Sequence, residues 1–340
     1  MALNYTQRLA NVAARKFDRE LNESVLSKSA AAALFPENVK YLLEAMRPID
    51  GKYNERTLEA ATRIQKHLED AFSLHFERDY RTQGSVRTGT NIRVHSDFDL
   101  LGIIKRYYYQ EAPVTNAYTE SDPDSDIQEF RKQATNILKG IYDEVDDSGD
   151  KSIAIRNKSL NRKVDVVFCF WYWSNKYAET RNDHYKAVYL YNFPSKSKQL
   201  DYPFATINSV NWKGDETKDG SRRGIRLLKT LKADAEEDWK TLKSFHLTSL
   251  VHSMANERLL YLPGRELDIT KSISSEVGNL INDPERRKAI KSPNGLEQPF
   301  NNGDTIPDLK KLKADLDELI NDTQRELATS RLLQESVAHY

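Results

Sequence analysis

The chain has 340 residues, of which 39% are hydrophobic, and its 51 basic and 51 acidic side chains give zero net charge. This length allows one large domain or two ordinary ones, and the neutral balance argues against a protein that coats nucleic acid by bulk electrostatics. The single cysteine, Cys169, lies in an apolar run, which excludes disulfides and cysteine-rich zinc sites and predicts a small buried hydrophobe. No run approaches the roughly 18 apolar residues of a membrane span, and the N-terminal residues lack the apolar core of a secretory signal. We therefore expect a soluble, cytoplasmic protein.

The first part of the chain predicts helices followed by a mixed sheet. Residues 1–47 are typical of two helices separated around residues 22–27. Apolar residues at three- and four-residue spacing predict a long helix over 54–76, with Asn54 as its N-cap. The aromatic stretch that ends at Tyr191 has no clear pattern. Loops are predicted over 83–90 and 111–126, a further helix over 127–142, and strands over 97–104, 152–155 and 163–171.

The second part is predicted to be helical. The polar residues 208–223, with Gly214 and Gly220, suggest a domain boundary. We therefore predict an α+β protein with a mixed α/β lobe over 1–207, which includes the N-terminal helices, and a helical lobe over 208–340. Near the C-terminus, a stripe of leucines is expected to pack into the core rather than to bind a partner: Leu309, Leu312, Leu316 and Leu319.

Three aspartates lie at the heads of apolar runs. Asp97 and Asp99 are two residues apart, so in a strand they would project from one face while Phe98 points to the core. Asp165 heads another apolar run and could meet the pair if the two strands are neighbours. Carboxylates are costly to bury, and oxygen ligands suit Mg²⁺, with Mn²⁺ as the alternative. The three aspartates therefore predict a metal site for phosphoryl or nucleotidyl transfer.

A Gly-Ser pair precedes the first aspartate by twelve residues. Gly84 allows backbone N–H groups to approach a phosphate, and the hydroxyl of Ser85 adds a further donor. Alone this pair is a weak signal, because it is common in turns. No G-x-x-x-x-G-K loop is present, which argues against a P-loop NTPase, and Ser85 has no evident His and Asp partners for a hydrolase.

The order Gly-Ser, Asp-x-Asp and a distant strand aspartate resembles the nucleotidyltransferase superfamily that includes DNA polymerase β. More narrowly, QGSVRTGTNIR followed by SDFDLL is similar to the bacterial cyclic-oligonucleotide synthases related to cyclic GMP–AMP synthase and oligoadenylate synthase. The resemblance extends in outline over residues 54–254. It implies a bilobal fold in which 1–207 is the nucleotidyltransferase lobe.

The resemblance also implies roles for individual residues. Asp97 and Asp99 would bind two metal ions, and Asp165 would bind the one that activates the attacking hydroxyl and could also act as base. A lysine on a later helix would contact phosphate, with Lys229 favoured over Lys232. The other residues that the resemblance assigns to nucleotide binding are Gln83, Gly84, Ser85, Ser244 and Phe245, the last as a stacking partner for a base.

The implied function is synthesis of a cyclic di- or trinucleotide second messenger from ATP, GTP or both, in anti-phage defence, with a downstream effector that receives the product. One cysteine cannot build a zinc insertion of the kind used to bind DNA, so no DNA activator is expected, and no membrane partner either. Two alternatives stay open. One is an RNA-tailing, small-molecule or protein nucleotidyltransferase of the same superfamily, and the other is an inactive nucleotide-binding sensor.

Basic residues cluster in two places in the sequence. A charge run usually lies on a solvated face. For each cluster we therefore expect a solvated face rather than a contact with nucleotide. The first cluster flanks Asp165 and contains Arg156, Lys158, Arg162 and Lys163, and the second contains Arg222, Arg223 and Arg226.

Overall fold

The computed structural model describes residues 3–16, 35–96, 98–111 and 121–338. The chain divides into two compact units. The sheet unit comprises residues 50–89 and 95–208, and the helical unit comprises residues 1–49, 90–94 and 209–340. The described elements are, in chain order, α1 (Tyr5–Lys16), α2 (Glu37–Met46), α3 (Gly51–Ala71), β1 (Arg78–Gln83), β2 (Asp99–Gln110), α4 (Pro123–Ile141), β3 (Glu144–Asp146), β4 (Ser152–Asn157), β5 (Arg162–Trp173), α5 (Asn175–Thr180), β6 (Lys186–Asn192), β7 (Ser197–Asp201), α6 (Pro203–Glu216), α7 (Gly220–Ala233), α8 (Ser244–Ser253), α9 (Glu266–Asn282), α10 (Pro284–Ala289) and α11 (Ile306–Ala338).

The described strands form a mixed seven-stranded sheet with the order β1-β2-β5-β4-β3, in which β6 pairs with β5 and β7 pairs with β6. Only the pairing of β2 with β5 is parallel among these described strands. β5 pairs with β4 along its first half and with β6 along its second half. The two central strands are nearly continuous apolar runs because both of their faces are covered, as is usual for parallel strands.

Each face of the sheet contributes to a separate core. One face packs under α3 and α4, where Ile64 and Phe130 are fully buried with Leu100 and Phe168 of the strands. The other face carries a smaller cluster around Leu101, Val167, Cys169 and Trp171. Cys169 is thus a buried hydrophobe, as predicted, and its burial raises the pKa of the thiol.

The long helix begins and ends earlier than the predicted 54–76. Asp50, rather than Asn54, is the N-cap of α3, because its carboxylate accepts a hydrogen bond from the Lys52 N–H. The helix ends at Ala71, where Phe72 turns into extended backbone and packs its ring against Phe130.

The start of α4 and the lengths of the strands also differ from the prediction. Asp122 caps α4 by accepting from Asp124 N–H and Ser125 N–H, so the helix begins at Pro123 instead of Ile127. β2 starts at Asp99 and runs six residues beyond the predicted end, since its pairing with β5 continues past a bulge. The unassigned aromatic stretch forms the end of β5, then α5 and β6.

The N-terminal helices belong to the helical unit, which corrects their assignment to the α/β lobe. Their apolar residues, among them Val12 and Tyr41, share a core with Leu228. Arg15 adds a bidentate ion pair to the buried Asp234, at 2.6 and 2.8 Å. The predicted break between these helices, at residues 22–27, lies outside the described residues.

The polar stretch 208–223 forms the second part of α6, a turn and the start of α7, and the two compact units divide after residue 208, inside the stretch where the sequence suggested a boundary. Gly214 lies inside α6, and a Cβ there would be 2.2 Å from the guanidinium carbon of Arg222, so glycine permits this packing. The leucine stripe Leu309, Leu312, Leu316 and Leu319 is fully buried in the helical core, as predicted. Among the described helices, none is both long and apolar enough to cross a bilayer.

Candidate active site

The sheet brings three of the predicted residues into one row. Gln83 is opposite Asp99 in the antiparallel β1–β2 pair, and Asp99 is opposite Asp165 in the parallel β2–β5 pair. Neighbouring strands lie about 4.8 Å apart, and residues in register share a face, so the two carboxylates lie side by side. The Gln83 amide donates a 2.8 Å hydrogen bond to Asp99 Oδ2, which orients that carboxylate.

Asp97 lies outside the described residues, and its predicted place beside Asp99 stays a prediction. Phe98, the residue between the two, is only 1% exposed and packs in the core under α3 and α4, as the sequence predicted. Below the carboxylate row the central strands are apolar. Asp165 keeps 21% of its side-chain surface exposed, although its Oδ1 atom is buried.

The Gly-Ser pair forms a tight turn directly after β1. Gly84 has φ of 111° and Gly89 has φ of 64°, and both values favour glycine. The Gly84 carbonyl accepts from Arg87 N–H, and the Val86 carbonyl accepts from Gly89 N–H. The buried Thr88 hydroxyl donates to the Ser85 carbonyl at 3.1 Å. These contacts fix the path of the turn, which follows Gln83 at one end of the carboxylate row.

The contacts of the helical unit distinguish Lys229 from Lys232, the two candidate lysines for a phosphate contact. On α7, the Lys232 ammonium donates to the carbonyl oxygens of Trp239 and Leu242, at 2.9 and 2.5 Å, and so holds the connection to α8. The Lys229 ammonium donates only long bonds, of 3.2 and 3.3 Å, to the carbonyl and hydroxyl oxygens of Thr90. Lys232 therefore has a structural role, and Lys229 is the better candidate for a phosphate contact.

Burial, with a contribution from the charge of Arg226, lowers the pKa of the Lys229 amine from 10.5 to about 8. The amine is therefore mostly protonated at neutral pH but close to its titration range. An anionic phosphate beside it would stabilise the charged form, which is the expected behaviour of a phosphate-binding lysine.

Ser244 and Phe245 lie at the exposed start of α8. Ser244 is the first residue of the helix, where backbone N–H groups have no partner within the helix. Phe245 is 42% exposed. Its ring contacts the ring of His246, which accepts from Lys243 N–H. An exposed aromatic ring can stack on a base.

The basic clusters mostly have structural partners. Arg162 and Arg226 are almost fully buried, and donate to backbone carbonyls of Asn161 and Met46, respectively. The remaining arginines and Lys158 form ion pairs or hydrogen bonds within their own unit: Arg156 with Asn161, Lys158 with Asp143, Arg222 with Asp215, and Arg223 with Asp219. Lys163 is different, because its partner is Asp165 of the carboxylate row.

Two contacts of the predicted residues, one in each unit, were not expected from the sequence. The Lys163–Asp165 ion pair has a visible signal, because residues two apart on a strand share a face. The Thr90 contact of Lys229 has no such signal, since 139 residues separate the two.

The carboxylate row fits a divalent cation. Asp99 and Asp165 supply adjacent hard oxygen donors, the type that Mg²⁺ and Mn²⁺ prefer. In the described part of the chain, which omits Asp97, no group of three His, Cys, Asp or Glu side chains is close enough to hold a metal ion. The described residues therefore supply two of the three predicted ligands.

A mixed sheet that carries a Gly-Ser turn and an aspartate row, with a separate helical unit, defines a nucleotidyltransferase of the polymerase β type, and the predicted α+β class is confirmed. No protein-family model matches the chain. It is 28% identical over 295 residues to the cyclic dinucleotide synthase CdnE of Yersinia aleksiciae, covering 85% of this chain and 77% of the relative. It is 27% identical over 296 residues to a c-di-GMP synthase of a Lachnospiraceae bacterium, covering 78% of this chain and 84% of the relative.

A solved structure agrees with these relatives. The STING-associated CdnE c-di-GMP synthase from Capnocytophaga granulosa matches 95% of this chain and 99% of its own length, with a TM-score of 0.80 and 25% identity. These similarities confirm the resemblance to bacterial cyclic-oligonucleotide synthases that was seen in the sequence.

Proposed function

We propose that this enzyme joins two nucleoside triphosphates into a cyclic dinucleotide through two nucleotidyl transfers. The observation that carries the proposal is the strand register, which sets Asp99 beside Asp165 and opposite Gln83, the residue that precedes the Gly84–Ser85 turn. The names of the relatives, which are cyclic dinucleotide and c-di-GMP synthases, support a ring of two nucleotides.

The same kinds of bond form and break in each transfer. A ribose hydroxyl oxygen of one nucleotide attacks the α-phosphorus of the other, and a new P–O bond forms. The bond between the α-phosphorus and the bridging oxygen of the β-phosphate breaks, and pyrophosphate leaves. The hydroxyl proton passes to a base, for which the Asp165 carboxylate is the candidate. A second transfer in the opposite direction closes the ring.

Asp99 and Asp165, with Asp97 as the predicted third ligand, would hold Mg²⁺, or Mn²⁺ in its place. A cation bound there would lower the pKa of the attacking hydroxyl and stabilise the charge of the leaving pyrophosphate. Gln83 would keep the Asp99 carboxylate oriented through its amide hydrogen bond.

The other predicted residues bind nucleotide in this proposal. The Gly84–Ser85 turn offers N–H and hydroxyl donors to phosphate oxygens. The Lys229 ammonium supplies a point charge to the triphosphate. Ser244 donates from the start of α8, and the exposed ring of Phe245 stacks on a base.

GTP is the substrate that we would test first, because two of the similar proteins are named as c-di-GMP synthases. The Capnocytophaga synthase is described as STING-associated, which supports a second-messenger role in anti-phage defence, with the product received by an effector. The proposal places the reaction in the cytoplasm, where nucleoside triphosphates are available.

The test is product analysis with Mg²⁺ and all four ribonucleoside triphosphates, each labelled in turn at the α-phosphate. We expect label from GTP in a phosphatase-resistant product with the mass of a cyclic dinucleotide, and no such product from Asp99→Asn or Asp165→Asn. The proposal would be overturned if the label never became phosphatase-resistant, or if both variants formed as much product as the unsubstituted protein. A ladder on an added RNA primer would instead identify a tailing enzyme.

A further inference from the structure

Lys163 places a positive charge on the carboxylate row. Its ammonium is 3.4 Å from Asp165 Oδ1. The two residues are two positions apart on β5 and so share a face, and Asp99 lies opposite Asp165 on the neighbouring strand. The ammonium thus occupies the side of the sheet that the proposed cation would use.

The lysine can leave this position readily. Its side chain is 52% exposed, so the ammonium can move into solvent or toward another anion without crossing protein. A bound cation would then pair with the Asp165 carboxylate in place of the lysine. Ion pairs that involve such an exposed lysine and a distance of 3.4 Å are weak and sensitive to salt, although Asp165 itself is only 21% exposed, so the pairing opposes a competing cation by only about fivefold in affinity or less.

We propose that Lys163 is a resident counter-ion of the aspartate row, which weakens the binding of a free divalent cation and favours its entry together with a nucleoside triphosphate. The inference rests on the proposed function, because the cation and the triphosphate are its ligands. A triphosphate carries several negative charges and offers Lys163 a new partner at the moment when the cation takes Asp165. The negative charge of the triphosphate then compensates the repulsion between the ammonium and the cation. A cation that binds without a triphosphate experiences the full repulsion.

The experiment measures Mn²⁺ binding without turnover, by the electron paramagnetic resonance signal of the free ion. Lys163→Met removes the charge, and Lys163→Arg keeps it. Lys105→Met is the matched control, because this 45% exposed lysine lies on β2 six residues from Asp99. At the rise of a strand this is about 20 Å, beyond the Debye length of about 10 Å in 0.1 M salt.

We expect Lys163→Met to bind Mn²⁺ about three- to fivefold more tightly than the unsubstituted protein, with Lys163→Arg and Lys105→Met unchanged. In titrations with Mn²⁺ and a non-hydrolysable GTP analogue, Lys163→Met should bind the complex no more tightly than the unsubstituted protein. Mn²⁺ affinity equal to that of Lys105→Met would overturn the inference, as would a gain that persists in full with the analogue.

Asp165→Asn distinguishes this failure from failure of the proposed function. If Asp165→Asn abolishes Mn²⁺ binding and product formation while Lys163→Met behaves like the control, only the counter-ion inference fails. If Asp165→Asn changes neither, the proposed metal site itself fails. Melting temperatures confirm that each variant is folded, which the exposure of Lys163 leads us to expect.

Discussion

Methionine substitutions at Lys229 and Lys232 should separate function from stability within one helix. Both lysines lie on α7, three residues apart, and both substitutions remove one charge. Their partners differ: Lys232 binds two carbonyl oxygens of the α7–α8 connection, and Lys229 makes two longer bonds to Thr90.

Lys232→Met should destabilise the protein. A hydrogen bond to a charged group contributes roughly 1.5–3 kcal/mol, and Lys232 makes two, at 2.9 and 2.5 Å. Because the side chain is partly exposed, we expect a total loss of about 2 kcal/mol in the free energy of unfolding. For a 340-residue chain that corresponds to a melting temperature roughly 3 °C lower.

Lys229→Met should not destabilise the protein. A pKa lowered from 10.5 to about 8 means that the charged amine is held unfavourably at pH 7, by up to about 3 kcal/mol before solvent screening is considered. This cost is present below pH 8 and disappears as the pH rises toward 10.5, where the amine is neutral in both states. Removing the charge at pH 7 therefore offsets the loss of two long hydrogen bonds. We expect an unchanged or slightly higher melting temperature.

The assay combines thermal unfolding at pH 7 with kcat/KM for the nucleoside triphosphate. Loss of a charge that contacts phosphate should lower kcat/KM at least about tenfold in Lys229→Met. Lys232→Met should retain activity below its melting transition, and the exposed Lys288→Met serves as the control for a simple charge change. The assignment is refuted if Lys229→Met melts lower with normal activity while Lys232→Met keeps its melting temperature and loses activity.

Three further predictions address the pH dependence, the metal site and the fold. The kcat/KM should fall as the pH rises through about 8, where Lys229 loses its proton, and in Lys229→Arg the fall should move to higher pH; an identical profile would contradict the assignment. Gln83→Met removes the donor to Asp99 and should weaken Mn²⁺ binding about tenfold in a direct titration, whereas unchanged affinity would show that this hydrogen bond does not support the site. Asp50→Ala should lower the free energy of unfolding in urea by about 1 kcal/mol and Asn54→Ala by much less, and the reverse order would restore Asn54 as the cap.

The central strands could be predicted from the sequence because they are nearly continuous apolar runs, and each is interrupted by an aspartate at its start. The residues at which helices begin were predicted less accurately. Asp50 and Asp122 cap their helices from polar segments that precede any apolar periodicity, so a search for that periodicity places the start too late. A cap is visible only when the side chain and the N–H groups that it satisfies are considered together.

Residue type and spacing predicted that the aspartates are metal ligands, but they do not determine that Asp99 and Asp165 are adjacent. Asp99 and Asp165 are separated by a helix and two short strands, and they meet because β5 pairs in parallel with β2 and not with another strand. Equally, nothing local distinguishes Lys229 from Lys232. The distinction depends on the path of the connection that brings the Trp239 and Leu242 carbonyls to Lys232.

Residues 90–94 make contacts that their position in the sequence does not predict. They lie between the Gly-Ser turn and the aspartates, where the sequence predicted a loop over 83–90 and no element over 91–96. In the structure they belong to the helical unit, where Thr90 accepts from Lys229 and the Val94 N–H donates to the Arg15 carbonyl at 2.8 Å. The chain therefore leaves the sheet unit after Gly89 and returns at His95. Contacts with α1 and α7, which are distant in sequence, therefore fix the path of the segment that joins the Gly-Ser turn to the aspartates along the chain.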